Sequence, residues 1–166
     1  MMNSSSNNPL VTIITIVFNN ISTIRNAVQS VAYQDYDNIE HVVIDNCSND
    51  GTLEAINELK DDISLIVSES DEGIYYALNK GIEIANGEIV GFLNSDDVLK
   101  NRNTITKIVN NLTLTNNEAV YGDLQYFSKK HPNRITRRWK SNTYSSHKFR
   151  QGWMPPPPTF YTYKKT

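Results

Sequence analysis

Asp96 and Asp97 are adjacent carboxylates that close the run Glu-Ile-Val-Gly-Phe-Leu-Asn-Ser-Asp-Asp at residues 88–97. Hard oxygen donors of this kind suit Mg²⁺ or Mn²⁺ carrying a phosphate, and open α/β sheets bind ligands at the carboxyl ends of their strands. The same letters are also ordinary turn chemistry. What separates the two readings is the set of elements that would have to position the pair.

Those elements alternate. Pro9 opens the β-branched run 10–17, too uniformly apolar for a half-exposed strand and suited to a central parallel one. Over residues 22–33 the apolar positions Ile24, Ala27, Val28 and Val31 recur at helical spacing, with Ser22 placed as a cap. A second strand is predicted at 41–45. Asp50, before Gly51-Thr52, caps the helix that runs through Leu53, Ile56 and Leu59. A third strand follows at 63–67, then a helix over 73–85 with Ile74, Ala77, Leu78, Gly81 and Ile82 on one face, then a fourth strand at 88–93. Beyond the acidic pair come a helix at 104–112 and a strand at 119–123. The pattern predicts an α/β fold: a Rossmann-like, mostly parallel sheet flanked by helices and joined by right-handed crossovers.

Past Asp123 the pattern changes. Residues 124–128 and 135–139, with a basic turn around Pro132 between them, read as an antiparallel hairpin. Four prolines at 155–158 have aromatic residues on both sides, which favours a packed, extended segment over a polyproline ligand. The expected organisation is therefore a disordered tail at 1–8, an α/β domain at 9–123, and the start of a different region at 124–166.

With 166 residues, 39% hydrophobic and 20% charged, the chain has the size and composition of one globular domain. The single cysteine, Cys47, can form no internal disulfide, which fits a reducing, cytoplasmic setting. No stretch approaches the roughly 18 apolar residues of a membrane span, and the start lacks the apolar core of a signal peptide. The net charge of −2 hides a division. All 18 acidic residues lie in 1–123 with 6 Lys and Arg, whereas 124–166 holds 10 Lys and Arg and no acid. The basic part, residues 129–150 in particular, would suit an anionic membrane face or a diphosphate-bearing acceptor; nucleic acid is not expected as a partner.

Four segments, Thr15 to Asn19, Val43 to Thr52, Asp71 to Gly81 and Gly87 to Asp97, together resemble the family 2 glycosyltransferases in content, order and spacing. The likeness covers essentially residues 9 to 161. It implies the GT-A fold, with 9–123 as a nucleotide-sugar-binding domain and 124–166 as the start of an acceptor-binding region, transfer of a sugar from a nucleoside diphosphate sugar (UDP- or GDP-linked) to a hydroxyl, and Mn²⁺ or Mg²⁺ as cofactor. By that resemblance Thr15, Val17 and Asn19 end the first strand beneath the nucleotide, and Asp45 ends the second where it would accept a hydrogen bond from the base. Asp71 would lie near base and sugar. Asn79 and Lys80 would reach the donor phosphates or cap the sheet edge, while Tyr76 stands where relatives often carry Asp. Asp96 and Asp97 would be the metal and ribose carboxylates, Asp96 the first choice for the metal, with Asn94 in place of an acid found in some relatives.

An inverting transfer needs a base to take the acceptor proton. In the resembling family that acid follows the segment matching 152–161 by a few dozen residues, so it is expected beyond Thr166; no Asp or Glu follows Asp123. His131 and His147 read as surface residues. Pro157 stands where many relatives carry His. The chain is expected to serve surface polysaccharide or lipid-linked oligosaccharide synthesis, with a glycan or polyprenyl-diphosphate-linked acceptor, in the cytoplasm or at the inner membrane face. The alternative is a truncated, catalytically silent nucleotide-sugar-binding module. A sugar nucleotidyltransferase would need a glycine-rich, basic loop after the first strand, and Phe18-Asn19-Asn20-Ile21 is not one.

Overall fold

The computed structural model describes residues 8–115, 117–128, 131 and 134–152. Residues 1–7 of the tail expected at 1–8, most of the basic turn around Pro132, and residues 153–166 with Pro157 lie outside the described residues.

Strands β1 (Val11–Val17), β2 (Ile39–Asp45), β3 (Leu65–Ser68) and β4 (Ile89–Asn94) form one parallel sheet in the order β3-β2-β1-β4. The central place of β1 follows from its sequence. Its residues are all apolar or Thr and six of the seven are buried, as a strand covered on both faces requires. Helices α1 (Ile24–Ala32), α2 (Thr52–Asn57), α3 (Ile74–Ile84) and α4 (Thr104–Thr115) supply the cover.

Side-chain alternation sorts the core into two layers. Val11, Ile13 and Val17 of β1 face α1, α2 and α4, packing with Ala27, Ala55, Ile56, Ile105 and Leu112. Ile14, Val42, Ile44 and Val90 face the other way, against Ala77 of α3. There α3 comes so close to β1 that a Cβ at Gly81 would meet Ile14 Cγ2 at 2.5 Å.

Local differences from the sequence reading have physical reasons. Thr23, not Ser22, stands at the start of α1, and its hydroxyl donates to the Ser95 carbonyl (2.8 Å) instead of capping the helix. The third strand begins at Leu65, because Lys60–Asp62 forms a short 3₁₀ turn and Ser64 N–H bonds the His41 carbonyl (2.8 Å) before the ladder starts. Residues 119–123 form no strand. Their side chains bond residues 141 and 142 instead: Tyr121 Oη donates to the Asn142 carbonyl (2.6 Å), and Asp123 accepts from Ser141 N–H and Oγ (both 2.8 Å).

The hairpin is as expected. β5 (Leu124–Phe127) and β6 (Ile135–Trp139) pair antiparallel, with an irregularity between Tyr126 and Phe127. A short helix, α5 (Ser146–Arg150), follows. Among the described residues no helix is long and apolar enough to cross a membrane.

Candidate functional site

Parallel register places the carboxyl ends of the strands side by side. Val17 is level with Asp45, Asp45 with Ser68, and Ile16 with Asn94. Every loop leaving this edge therefore starts from one line of backbone, and side-chain hydrogen bonds then tie the loops to one another. Asn20 Nδ2 donates to Ser95 Oγ (2.9 Å), Asn19 N–H to Ser48 Oγ (2.9 Å), and Asn49 N–H to Asn19 Oδ1 (2.8 Å). Asp71 N–H donates to Asn46 Oδ1 (2.7 Å). Asn19 (φ 47°) and Cys47 (φ 51°) adopt left-handed backbone within these loops, a conformation Asn tolerates well and Cys less so.

Several expected site residues come together here. Asp96 is exposed, and Asp97, half-buried beside it, accepts from Asn94 Nδ2 at 3.0 Å. Burial raises the Asp97 carboxyl above the usual carboxylate range and the Asp96 charge adds to that, against the lowering effect of the Asn94 amide. A cation beside the pair would offset this like-charge repulsion. Among the described residues no three His, Cys, Asp or Glu side chains form a metal cluster. Two carboxylates at a strand end nevertheless fit an Mg²⁺- or Mn²⁺-type ion, which takes its remaining ligands from phosphate oxygens and water.

Asp45 is fully buried; its Oδ2 accepts from Ser68 Oγ (2.6 Å) and Ser48 N–H (3.1 Å), while Oδ1 receives only a longer contact from the same N–H (3.3 Å). Asp71 Oδ1 accepts from Gly73 N–H (2.8 Å), but its Oδ2 is buried without a hydrogen-bond partner among the described residues. A buried, unpaired carboxylate oxygen is costly and points to an incoming donor.

Other residues are placed differently. The Thr15 hydroxyl lies in the sheet interior, 2.9 Å from His41 Nε2, and Val17 is buried in the core, so both side chains are turned into the interior and support the platform from below. Neighbouring layers of apolar side chains explain this. Lys80 is ion-paired with Glu69 at 2.5 Å, and Asn79 is exposed on α3. Asp50 is structural, as expected: it accepts from Thr52 N–H (3.0 Å), Thr52 Oγ1 (2.5 Å) and Ile21 N–H (3.2 Å), and the Thr52 hydroxyl chiefly holds it below the usual carboxylate range.

Sequence reasoning missed the polar ties: Asn20, Asn46, Ser48, Ser68 and Ser95. Their positions just past strand ends were the available signal, since short polar side chains there bond neighbouring backbone.

An open parallel sheet with polar, cross-linked loops and an acidic pair at its carboxyl edge defines a Rossmann-like ligand-binding domain of the GT-A class. Residues 12–164 match the model of glycosyl transferase family 2, and the chain belongs to that family. It is 36% identical over 113 residues to the Escherichia coli UDP-Glc:alpha-D-GlcNAc-diphosphoundecaprenol beta-1,3-glucosyltransferase WfaP, covering 68% of this chain and 43% of that one. It is 32% identical over 126 residues to an uncharacterized glycosyltransferase of Haemophilus influenzae, covering 72% of this chain and 50% of that one. Among solved structures it resembles the mannosyltransferase PcManGT of Pyrobaculum calidifontis in complex with GDP-Man and Mn²⁺. That likeness has a TM-score of 0.64 and 32% identity, and covers 69% of this chain and 35% of that one. The chain spans half or less of the length of these relatives.

Proposed function

We propose that this chain binds a nucleoside diphosphate sugar at the carboxyl edge of its sheet and forms the donor half of an inverting glycosyltransferase. The observation that carries the reading is the Asp96–Asp97 pair at the end of β4, within hydrogen-bonded loops from three other strands. Mn²⁺ or Mg²⁺ held by this pair would offset the charge of the two donor phosphates and stabilise the diphosphate that leaves.

The chain's own residues do the binding. Asp45 holds the loop after β2 through Ser48 and Ser68 and, being fully buried, would accept from a ring N–H of the base through Oδ1 once that loop shifts to uncover it. Asp71 offers Oδ2 to a donor group of base or sugar. Asn19 orients the loops over the nucleotide, and Asn94 keeps Asp97 turned toward the site. Lys80, with Asn79 beside it, would exchange Glu69 for a donor phosphate. Support for UDP or GDP comes from the substrate named for WfaP and the ligand of PcManGT. The acceptor would be a glycan or a sugar on a polyprenyl diphosphate, met at the cytoplasmic membrane face through the basic residues between 129 and 150.

Calorimetric titration of UDP and GDP, with Mn²⁺ and with chelator, tests this against a variant with Asp96 and Asp97 both changed to Ala. Metal-dependent binding that disappears in the variant is expected, whereas equal binding by both proteins would refute the assignment. Affinity for the donor without transfer or hydrolysis would instead identify a nucleotide-sugar-binding module, a second reading motivated by the share of the relatives' length that the chain spans.

A further inference from the structure

The β5–β6 hairpin carries a side-chain arrangement that the donor site does not use. Register pairs Tyr126 with Arg137 and Leu124 with Trp139, so alternation sets Leu124, Tyr126, Arg137 and Trp139 on one face and Gln125 and Arg138 on the other. The Arg137 guanidinium lies over both rings of its face, 5.7 Å from the Tyr126 centroid and 5.2 Å from that of Trp139. Arg137 is exposed, and among the described residues its guanidinium takes part in no ion pair. Sequence explains part of this, because residues 124–166 contain no acid to serve as a counter-ion.

A guanidinium has two kinds of surface. Its faces stack on aromatic rings, and its edge carries N–H donors in a fork that matches two phosphate oxygens. Arg137 lies within cation–π reach of both rings and is exposed, so its N–H donors are open to an incoming anion. Contact with two rings also restricts the side chain before a ligand arrives, which lowers the ordering cost of binding. Placement on paired strands makes the arrangement more rigid than one on a loop.

We propose that Tyr126, Arg137 and Trp139 form an anion clamp that binds the diphosphate of a lipid-linked acceptor. The proposal rests on the glycosyltransferase reading above and adds to it a recognition site for the acceptor, separate from the acidic pair that would hold the donor. A diphosphate is chosen over a dispersed anionic surface because Arg137 alone of the exposed cations Arg134, Arg137, Arg138 and Lys140 is set between two rings on one face of the hairpin, among the described residues.

The test titrates farnesyl diphosphate and farnesyl monophosphate into the 166-residue protein in chelator, which keeps metal from recruiting either ligand to Asp96 and Asp97. Arg137→Ala should weaken diphosphate binding at least tenfold. Arg137→Lys, which keeps the charge and loses the fork, should weaken it severalfold, and the monophosphate should bind less tightly than the diphosphate. Arg138→Ala removes the same charge from the opposite face of the hairpin and is the control. Equal losses for Arg137→Ala and Arg138→Ala, or no loss for either, would overturn the clamp. So would binding to phosphatidylglycerol vesicles as tight as binding to the diphosphate, which would assign this face to a membrane surface. Titration of UDP and GDP with Mn²⁺ on the same samples separates the two claims. Nucleotide binding with no Arg137 effect rejects the clamp alone, while absent nucleotide binding rejects the donor reading.

Discussion

Asn94 Nδ2 donates to Asp97 Oδ2 at 3.0 Å, so the last residue of β4 holds one member of the acidic pair while Asp96 stays exposed beside it. The adjacent carboxylates thus have different surroundings: one is oriented by an amide, the other stands in solvent. Groups that orient a metal ligand typically affect affinity by about 10- to 100-fold. Asn94→Ala is expected to lower Mn²⁺-dependent affinity for UDP or GDP by about tenfold, and Asp96→Ala to abolish the metal dependence. Calorimetry reads both, and wild-type affinity in Asn94→Ala would show that the amide has no part in the site.

Asp71 makes a separate prediction. Its Oδ2 is buried without a partner, and a hydrogen bond to a charged group is worth about 1.5–3 kcal/mol, or roughly 10- to 100-fold in affinity. Asp71→Asn should therefore cost at least about tenfold in nucleotide-sugar affinity while its Oδ1 remains able to accept from Gly73 N–H. Unchanged affinity would leave the orphaned oxygen without a ligand role.

His41 sets an acid limit on stability. Burial pushes its pKa from the usual 6.5 to about 4, with the Asp62 backbone offsetting only part of the effect. The folded state thus keeps the ring neutral where the unfolded chain binds a proton. Its stabilising contribution is complete above pH 6.5 and is lost as pH falls toward 4, with a slope of at most about 1.4 kcal/mol per pH unit. His41→Gln should flatten that limb in urea denaturation across this range, even though loss of the Thr15 contact makes it less stable at pH 7. An unchanged pH profile would mean that other groups set the acid limit.

Gly81 tests the packing of α3 on β1. Alanine is the better helix former, yet its Cβ would sit 2.5 Å from Cγ2 of the buried Ile14, so a side chain or the helix must shift. Overpacking of this kind costs about 1–3 kcal/mol, more than the roughly 1 kcal/mol gained in propensity. Gly81→Ala is expected to lower the urea midpoint; a rise would show that α3 can shift.

Much of the fold was legible in the sequence because burial on both faces leaves a plain mark. The run 10–17 can only be a covered strand, and the 3.6-residue spacing of Ile24, Ala27, Val28 and Val31 fixes the inner face of α1. Residues 119–123 misled for the same reason. Ala119-Val120-Tyr121 has strand-like composition, but Tyr121 and Asp123 bond residues 141 and 142, a tertiary choice with no local signature. The acidic pair was visible as a strand-end motif, whereas the contact between Thr15 and His41, or between Lys80 and Glu69, depends on which strands and helices become neighbours.

The ties that bind the loops have a consequence for how the protein acquires its site. Asn20–Ser95 and Thr23–Ser95 join residues 75 and 72 apart in sequence, and the Asn19–Ser48, Asn19–Asn49 and Asn46–Asp71 bonds span 29, 30 and 25. Such long loop closures come late, after the entropy of bringing distant segments together has been offset by the sheet itself. A fragment holding β1 and β2 contains the Asn19–Ser48 and Asn19–Asn49 bonds but not those to Ser95 or Asp71, so no fragment of one or two strands contains the whole platform. Nucleotide affinity would therefore appear all at once with the complete sheet, and a bound nucleotide would slow the loss of the whole fold rather than of one loop.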